Sequence, residues 1–209
     1  MSEAETSVTR ARSDWVQSPV RGGHEHSRDL GPPLRVLIAD FDFYSVTGGG
    51  QTFYRSLIEA HPNTQFFFLA RQPVNHATLP PNATAIPYKI CYQAPRFPRN
   101  SLKGKVVHTA TEALNIAASV VGYEFDVVDY PDYQIYGTYL PAALKFHGVK
   151  AGKFALSMHG VMSTTLEKNW EGDRHPRDEI EALRSLELLQ YQASDIRYGI
   201  SARYIGDWK

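Results

Sequence analysis

The chain has 209 residues, 43% of them hydrophobic and 21% charged. That is a globular composition with room for one domain and not comfortably two, and it excludes collagen-like, coiled-coil and wholly disordered chains. Lys plus Arg and Asp plus Glu each number 22, so no overall field draws the chain to nucleic acid or to an anionic membrane, and any partner has to be recognised locally. The longest apolar stretches, Phe66 to Ala70 and Ile116 to Val121, fall far short of the roughly 20 residues that span a bilayer. The acidic start Met1-Ser2-Glu3-Ala4-Glu5 lacks the basic and apolar regions of a secretory signal, and Cys91 is the only cysteine. A disulfide framework and a cysteine-rich zinc site are therefore excluded, and a reducing cytoplasm is the expected compartment.

Residues 1–33 are polar, with Gly22-Gly23, Pro19, Pro32 and Pro33 and almost no apolar periodicity; they read as a disordered tail. Its His24-Glu25-His26 is too few ligands for a metal site. Leu34 to Ala39 is a nearly continuous apolar run, the mark of a strand buried on both faces. After Gly48-Gly49-Gly50, the segment Gln51 to Ala60 places Phe53, Leu57 and Ile58 at helical spacing, and His61-Pro62-Asn63 stops it. Gln65 to Ala70 is a second buried strand. Prolines 73, 80, 81, 87, 95 and 98 then interrupt every pattern, with Ala85 to Ile90 a candidate edge strand in a long loop. A helix is predicted over Val106 to Val121, with Leu114, Ala117 and Val121 on one side and Gly122 beyond its end. Phe125 to Asp129 is a third buried strand. Tyr136 to His147 is a helix whose start Pro141 is expected to delay, and Lys153 to Met158 is a further strand. From His175-Pro176 to Ala193 runs the clearest helix, with Asp178 and Glu179 at its positive end and Ile180, Leu183 and Leu186 on one face. Asp195 to Ile200 closes the series as a strand.

Strands alternating with helices predict an α/β domain over 34–209, a Rossmann-like open parallel sheet with helices on both faces. Ligands in such sheets bind beyond the carboxyl ends of the strands. After the first strand, Gly48, Gly49 and Gly50 lead into a helix, so backbone N–H groups and the helix dipole can meet an anion; a sharp turn is the plainer reading. It is no Walker loop, since no Gly-Lys-Ser/Thr follows, and it lacks Gly-x-Gly-x-x-Gly spacing. Asp129-Tyr130-Pro131-Asp132-Tyr133, with Gln134 and Tyr136 close behind, combines carboxylates, phenols and an amide, chemistry suited to sugar hydroxyls and ring faces; a proline-stiffened helix cap is the alternative. Ser157-Met158-His159-Gly160 sets an imidazole at the same mouth, either a ligand or a residue bonded to nearby backbone. Asp40 and Asp42 with Asp129 or Asp132 suggest a magnesium site of the receiver-domain kind, but Ser201-Ala202-Arg203 stands where that scheme needs a lysine, and it leaves the triple glycine unexplained.

Together, Arg35-Val36-Leu37-Ile38 leading to Gly48-Gly49-Gly50, Phe125 through Tyr133, Ser157-Met158-His159-Gly160, and Ala193-Ser194-Asp195 through Ile200-Ser201-Ala202-Arg203-Tyr204 resemble the N-terminal half of a family 4 glycosyltransferase of GT-B fold. The resemblance implies two Rossmann-like domains facing across a cleft. The N-terminal one mostly binds the acceptor; the C-terminal one binds a nucleotide diphosphate sugar through a basic pair and a Glu-x7-Glu motif. Lys209 falls just after the point where the family's linker would begin, so the donor half is expected elsewhere, in a longer product or a separate polypeptide. The implied reaction is glycosyl transfer to a glycan, lipid-linked or small-molecule acceptor with retention of configuration and no obligatory metal or other cofactor. Gly48, Gly49 and Gly50 would serve the departing diphosphate, His159 would line the cleft beside the transferred sugar, and Asp132, Tyr133 and Gln134 would orient the acceptor. A second class of function is a non-catalytic sugar- or nucleotide-binding or interaction domain that needs a partner half. The aromatic, proline-rich stretch Tyr88 to Pro98, with Lys89, Arg96, Arg99, Lys103 and Lys105 nearby, suggests contact with a lipid-linked acceptor or the inner face of a membrane; a solvated loop is the plainer alternative.

Overall fold

The computed structural model describes residues 31–45, 48–97, 101–168 and 176–199. The polar segment 1–30 with His24-Glu25-His26, Arg99, and the Ser201-Ala202-Arg203-Tyr204 match lie outside the described residues. Six strands, β1 (Arg35–Phe41), β2 (Gln65–Ala70), β3 (Ala83–Pro87), β4 (Glu124–Pro131), β5 (Lys150–Met158) and β6 (Ile196–Gly199), form one sheet in the order β3-β2-β1-β4-β5-β6. Every pairing is parallel. The order reverses between β1 and β4, which makes their carboxyl ends the switch point of an open Rossmann-like sheet.

Among the described residues five α-helices join the strands, α1 (Gly49–Ala60), α2 (Leu102–Ser119), α3 (Tyr136–Phe146), α4 (Met162–Lys168) and α5 (Arg177–Ala193), with a short 3-10 turn at His76–Thr78 between β2 and β3. Alternation along β1 and β2 divides the core into two layers. Leu37, Ala39, Phe67 and Leu69 pack with Ala113, Ile116 and Ala117 of α2 and Leu140 and Leu144 of α3. Ile38, Phe66 and Phe68 pack with Tyr54 and Ile58 of α1. Both faces of the sheet are thus covered, as apolar runs without polar alternation require. Among the described residues, no helix is long and apolar enough to cross a membrane.

Several local expectations are corrected. Helix α1 begins at Gly49 rather than Gln51, with Gly48 as its extended cap, so two of the three glycines are helical. Its inner face is Tyr54 and Ile58, while Phe53 and Leu57 are half-buried. Pro141 lies inside α3 and does not delay its start. Helix α2 starts four residues before the predicted Val106 because the Ser101 hydroxyl accepts the Gly104 amide as a cap. Its buried face is Ala113, Ile116, Ala117 and Val120, and Val121 faces out. The edge strand lies at Ala83–Pro87, earlier than predicted, and α4 was not anticipated. The residues after β3 are tied to α2: Ser119 Oγ accepts the Lys89 amide at 2.8 Å, and Asn115 Oδ1 accepts the amides of Cys91 and Tyr92 at 2.8 and 2.7 Å.

Candidate functional site

The carboxyl ends of β1, β4, β5 and β6 and the first turn of α1 converge at the switch point. Asp129, near the end of β4, is fully enclosed, and its carboxyl group is reached by hydroxyls from two other elements. Tyr54 of α1 donates to Oδ1 at 2.9 Å, and Tyr198 of β6 donates to Oδ2. Ser157 of β5 bonds the Tyr54 hydroxyl in turn. Burial raises the Asp129 carboxyl from its ordinary 3.8 to about 7; the hydrogen bonds from Tyr198, Tyr54 and Ser157 oppose that rise, and the nearby Asp40 adds to it. The same burial raises Tyr54 and Tyr198, whose phenols stay protonated as donors.

Asp40 is held similarly. It accepts the Tyr133 hydroxyl at 2.5 Å and the Phe41 amide at 2.8 Å, and burial raises its carboxyl while the Tyr133 bond lowers it. Asp42 adopts a left-handed backbone at φ 56° and accepts the Arg71 amide at 3.0 Å, which ends β1 and ties it to the exit of β2. Asp132 is buried, and its carboxylate accepts the amides of His159 at 2.9 Å and Gly160 at 3.0 Å. Gln190 of α5 holds the Asp132 carbonyl at 3.1 Å. The four aspartates considered for magnesium are therefore turned to separate protein partners. Among the described residues, no group of three His, Cys, Asp or Glu side chains is arranged to hold a metal ion.

The predicted site residues divide in two. Asp132 and Tyr133 reach the crevice, but their polar ends are engaged within the protein, and Gln134 sits half-buried beside them. Gly48, Gly49 and Gly50 form the cap and first turn of α1, where no side chain caps the helix. None of the three has positive φ, so backbone strain does not explain them. Space bears on two: a Cβ on Gly48 would meet the movable end of the Gln51 side chain, and one on Gly50 would stand 2.9 Å from the Tyr133 hydroxyl, whereas one on Gly49 would meet none of the described residues within 4 Å.

His159 stands opposite this turn. Its ring packs edge-on against Phe53 at 4.7 Å, with Tyr54 and Tyr133 at 5.8 and 5.9 Å. Burial lowers its pKa, with Asp132 opposing, so the neutral ring is favoured. Among the described residues its Nε2 is buried without a hydrogen-bond partner, an omission that costs about 1–3 kcal/mol. The tautomer of the neutral ring decides whether that nitrogen donates or accepts, and a ligand reaches it only where the rings packed around it move.

Sequence reasoning missed Tyr54, Tyr198 and the central place of Asp129. The available signal was a tyrosine on the inner face of an otherwise apolar helix, since a buried phenol needs a polar partner. No protein-family model matches this chain, and no curated protein matches it.

Proposed function

We propose that this chain is the acceptor-side, Rossmann-like half of a retaining glycosyltransferase that takes its sugar from a nucleotide diphosphate donor and works with a second, donor-binding half. The observation that carries the reading is the position of three elements at one switch point: the uncapped glycine turn of α1, the Asp129–Tyr133 segment and the His159 loop. The amides of the first turn supply fixed positive charge where a leaving diphosphate accumulates negative charge, with no resident metal needed in this reading. His159 lines the transferred sugar through Nε2, and Tyr133 and Gln134 border the acceptor, which is a glycan, a lipid-linked sugar or a small molecule. Asp132 acts through the His159 backbone, as a positioning residue.

Ligand-observed NMR with UDP, UDP-glucose and GDP-mannose tests this. Gly49→Asp is the discriminating variant, because its side chain enters open space and an acidic group suits a helix start while repelling an anion. Binding by the parent that is lost in the variant supports the reading; binding unchanged by the variant overturns the role given to the glycine turn, and absent binding confines this half to acceptor recognition or scaffolding. The inward engagement of Asp132 and Tyr133 favours a second reading, a non-catalytic sugar- or nucleotide-binding domain. Binding without glycosyl transfer after a donor-binding half is supplied would select it.

A further inference from the structure

Charge balances over the whole chain but not along it. From Ala60 to Thr111 there is no Asp or Glu, while Arg71, Lys89, Arg96, Arg99, Lys103 and Lys105 fall there; from Tyr133 to Leu166 there is again none, with Lys145, Lys150 and Lys153. The fold joins these two stretches. Helix α2 packs on α3, and residues 88–97 run antiparallel along α2, from the Lys89 amide on Ser119 to the Lys103 ammonium 4.8 Å from the Phe97 ring. Tyr92 reaches the end of α3, its hydroxyl 3.2 Å from His147 Nε2. Glu112 is the one acidic residue of α2, and it is paired with Arg71 and accepts from Tyr136. Helix α5 packs on α3 and touches the start of α2, where Glu179 accepts the Leu102 amide at 3.3 Å, so Asp178, Glu179 and Glu181 bound the basic surface at that end.

Two large apolar side chains stand out of this surface. Ile90 is 72% exposed and Phe146 is 74% exposed, the highest values among the described large hydrophobic residues. Ile90 is two residues from Tyr92, and the Phe146 ring lies 5.2 Å from that of His147, so both flank the Tyr92–His147 contact. The amides on either side of Ile90 are fixed by Ser119 and Asn115, so its exposure is built into the segment. Exposed Lys89 adjoins Ile90 and exposed Lys145 adjoins Phe146, while Arg96 and Lys103 are exposed toward the start of α2, where Phe97 meets Lys103.

We propose that this α2–α3 face docks on an anionic lipid bilayer, with Ile90 and Phe146 entering the headgroup region and Lys89, Arg96, Lys103 and Lys145 meeting lipid phosphates. Cations flanking protruding apolar groups fit that partner, because charge brings the surface close and apolar insertion holds it. Nucleic acid would use the cations but takes up an apolar wedge only by unstacking a base step, a cost that a bilayer does not impose. The inference is independent of what the crevice binds.

The test is co-sedimentation of the full chain with vesicles of phosphatidylcholine alone and of phosphatidylcholine with about one part in four phosphatidylglycerol. The chain sediments with the anionic vesicles only, and added salt weakens it. Replacing Ile90→Ser and Phe146→Ser together lowers binding at least about tenfold, and Lys89→Gln with Lys145→Gln lowers it independently. Circular dichroism melts matching the parent verify that the variants fold. Failure to sediment with anionic vesicles, binding unchanged by the Ile90 and Phe146 replacements, or tighter binding to a DNA duplex than to the vesicles would each overturn the proposal.

Discussion

Two sides of the crevice use polar groups in opposite ways. At and just beyond the end of β4, Asp129, Asp132 and Tyr133 are bonded to hydroxyls, amides and a carboxylate of the protein itself. Among the described residues, no side chain caps the first turn of α1, and the buried His159 Nε2 has no hydrogen-bond partner. The engaged aspartates fix the geometry around the unengaged groups, which are the ones the proposed function assigns to a ligand.

The largest expected effect falls on the engaged side. Asp132→Ala strands two half-buried amides, those of His159 and Gly160, and frees the loop carrying the imidazole. A loss of about 2–4 kcal/mol is expected, a Tm lower by roughly 4–16 °C in a domain of this size. The His159 ring resonances should move toward solvent-exposed values in the same variant. A loss under about 0.5 kcal/mol would mean that Asp132 is no scaffold, and the contrast would fail at its centre.

Asp129 allows a sharper test through pH. Its carboxyl rises from 3.8 to about 7, so between those values the folded chain keeps a proton that the unfolded chain has released. Its contribution to stability is therefore full below the unfolded pKa and is lost as pH climbs through about 7. Asp40 and Glu187, also raised, act in the same direction. His159, lowered, acts oppositely: its share is present above its ordinary 6.5 and is lost as pH falls through its folded value. Asp129→Asn removes only the first of these. The variant should gain on the parent, by on the order of a few kcal/mol, as pH rises through that window in thermal melts. A pH-independent difference would show that the enclosed carboxyl ionises normally, and that Tyr54 and Tyr198 compensate its burial fully.

The strands were legible because apolar runs without alternation, such as Leu34 to Ala39 and Gln65 to Ala70, have few stable places other than a sheet covered on both faces. Strand ends were legible too, since Asp129–Tyr133 straddles the end of β4 and His159 follows β5 directly, with Gly48–Gly50 farther on, at the start of α1. What each polar group does there was not legible, because it depends on partners far apart in the chain. Tyr54 lies 75 residues from Asp129, and Tyr133 lies 93 from Asp40. The hidden order after β3 has the same cause, since nothing local in a proline-rich stretch announces that Asn115 of α2 will bind its amides. Helix α4 was missed for lack of local signal: its first turn is held by Glu187 of α5, which accepts the Ser163 amide at 2.9 Å.

The smallest expected effect separates neighbours within the glycine turn. Both Gly49 and Gly50 begin α1, where alanine is the better helix former by up to about 1 kcal/mol. Gly49→Ala should therefore leave stability unchanged or slightly raised. Gly50→Ala gains the same propensity but drives its methyl against the Tyr133 hydroxyl, 2.9 Å away, while Asp40 holds that hydroxyl at 2.5 Å. The second variant should fall below the first by about 1–2 kcal/mol in denaturant melts. Tyr133→Phe removes the hydroxyl, so in that background the difference should shrink to a few tenths of a kcal/mol, the coupling expected of residues in contact. If Gly50→Ala matches Gly49→Ala with Tyr133 intact, the tyrosine yields freely, and the end of β4 does not hold the crevice in shape.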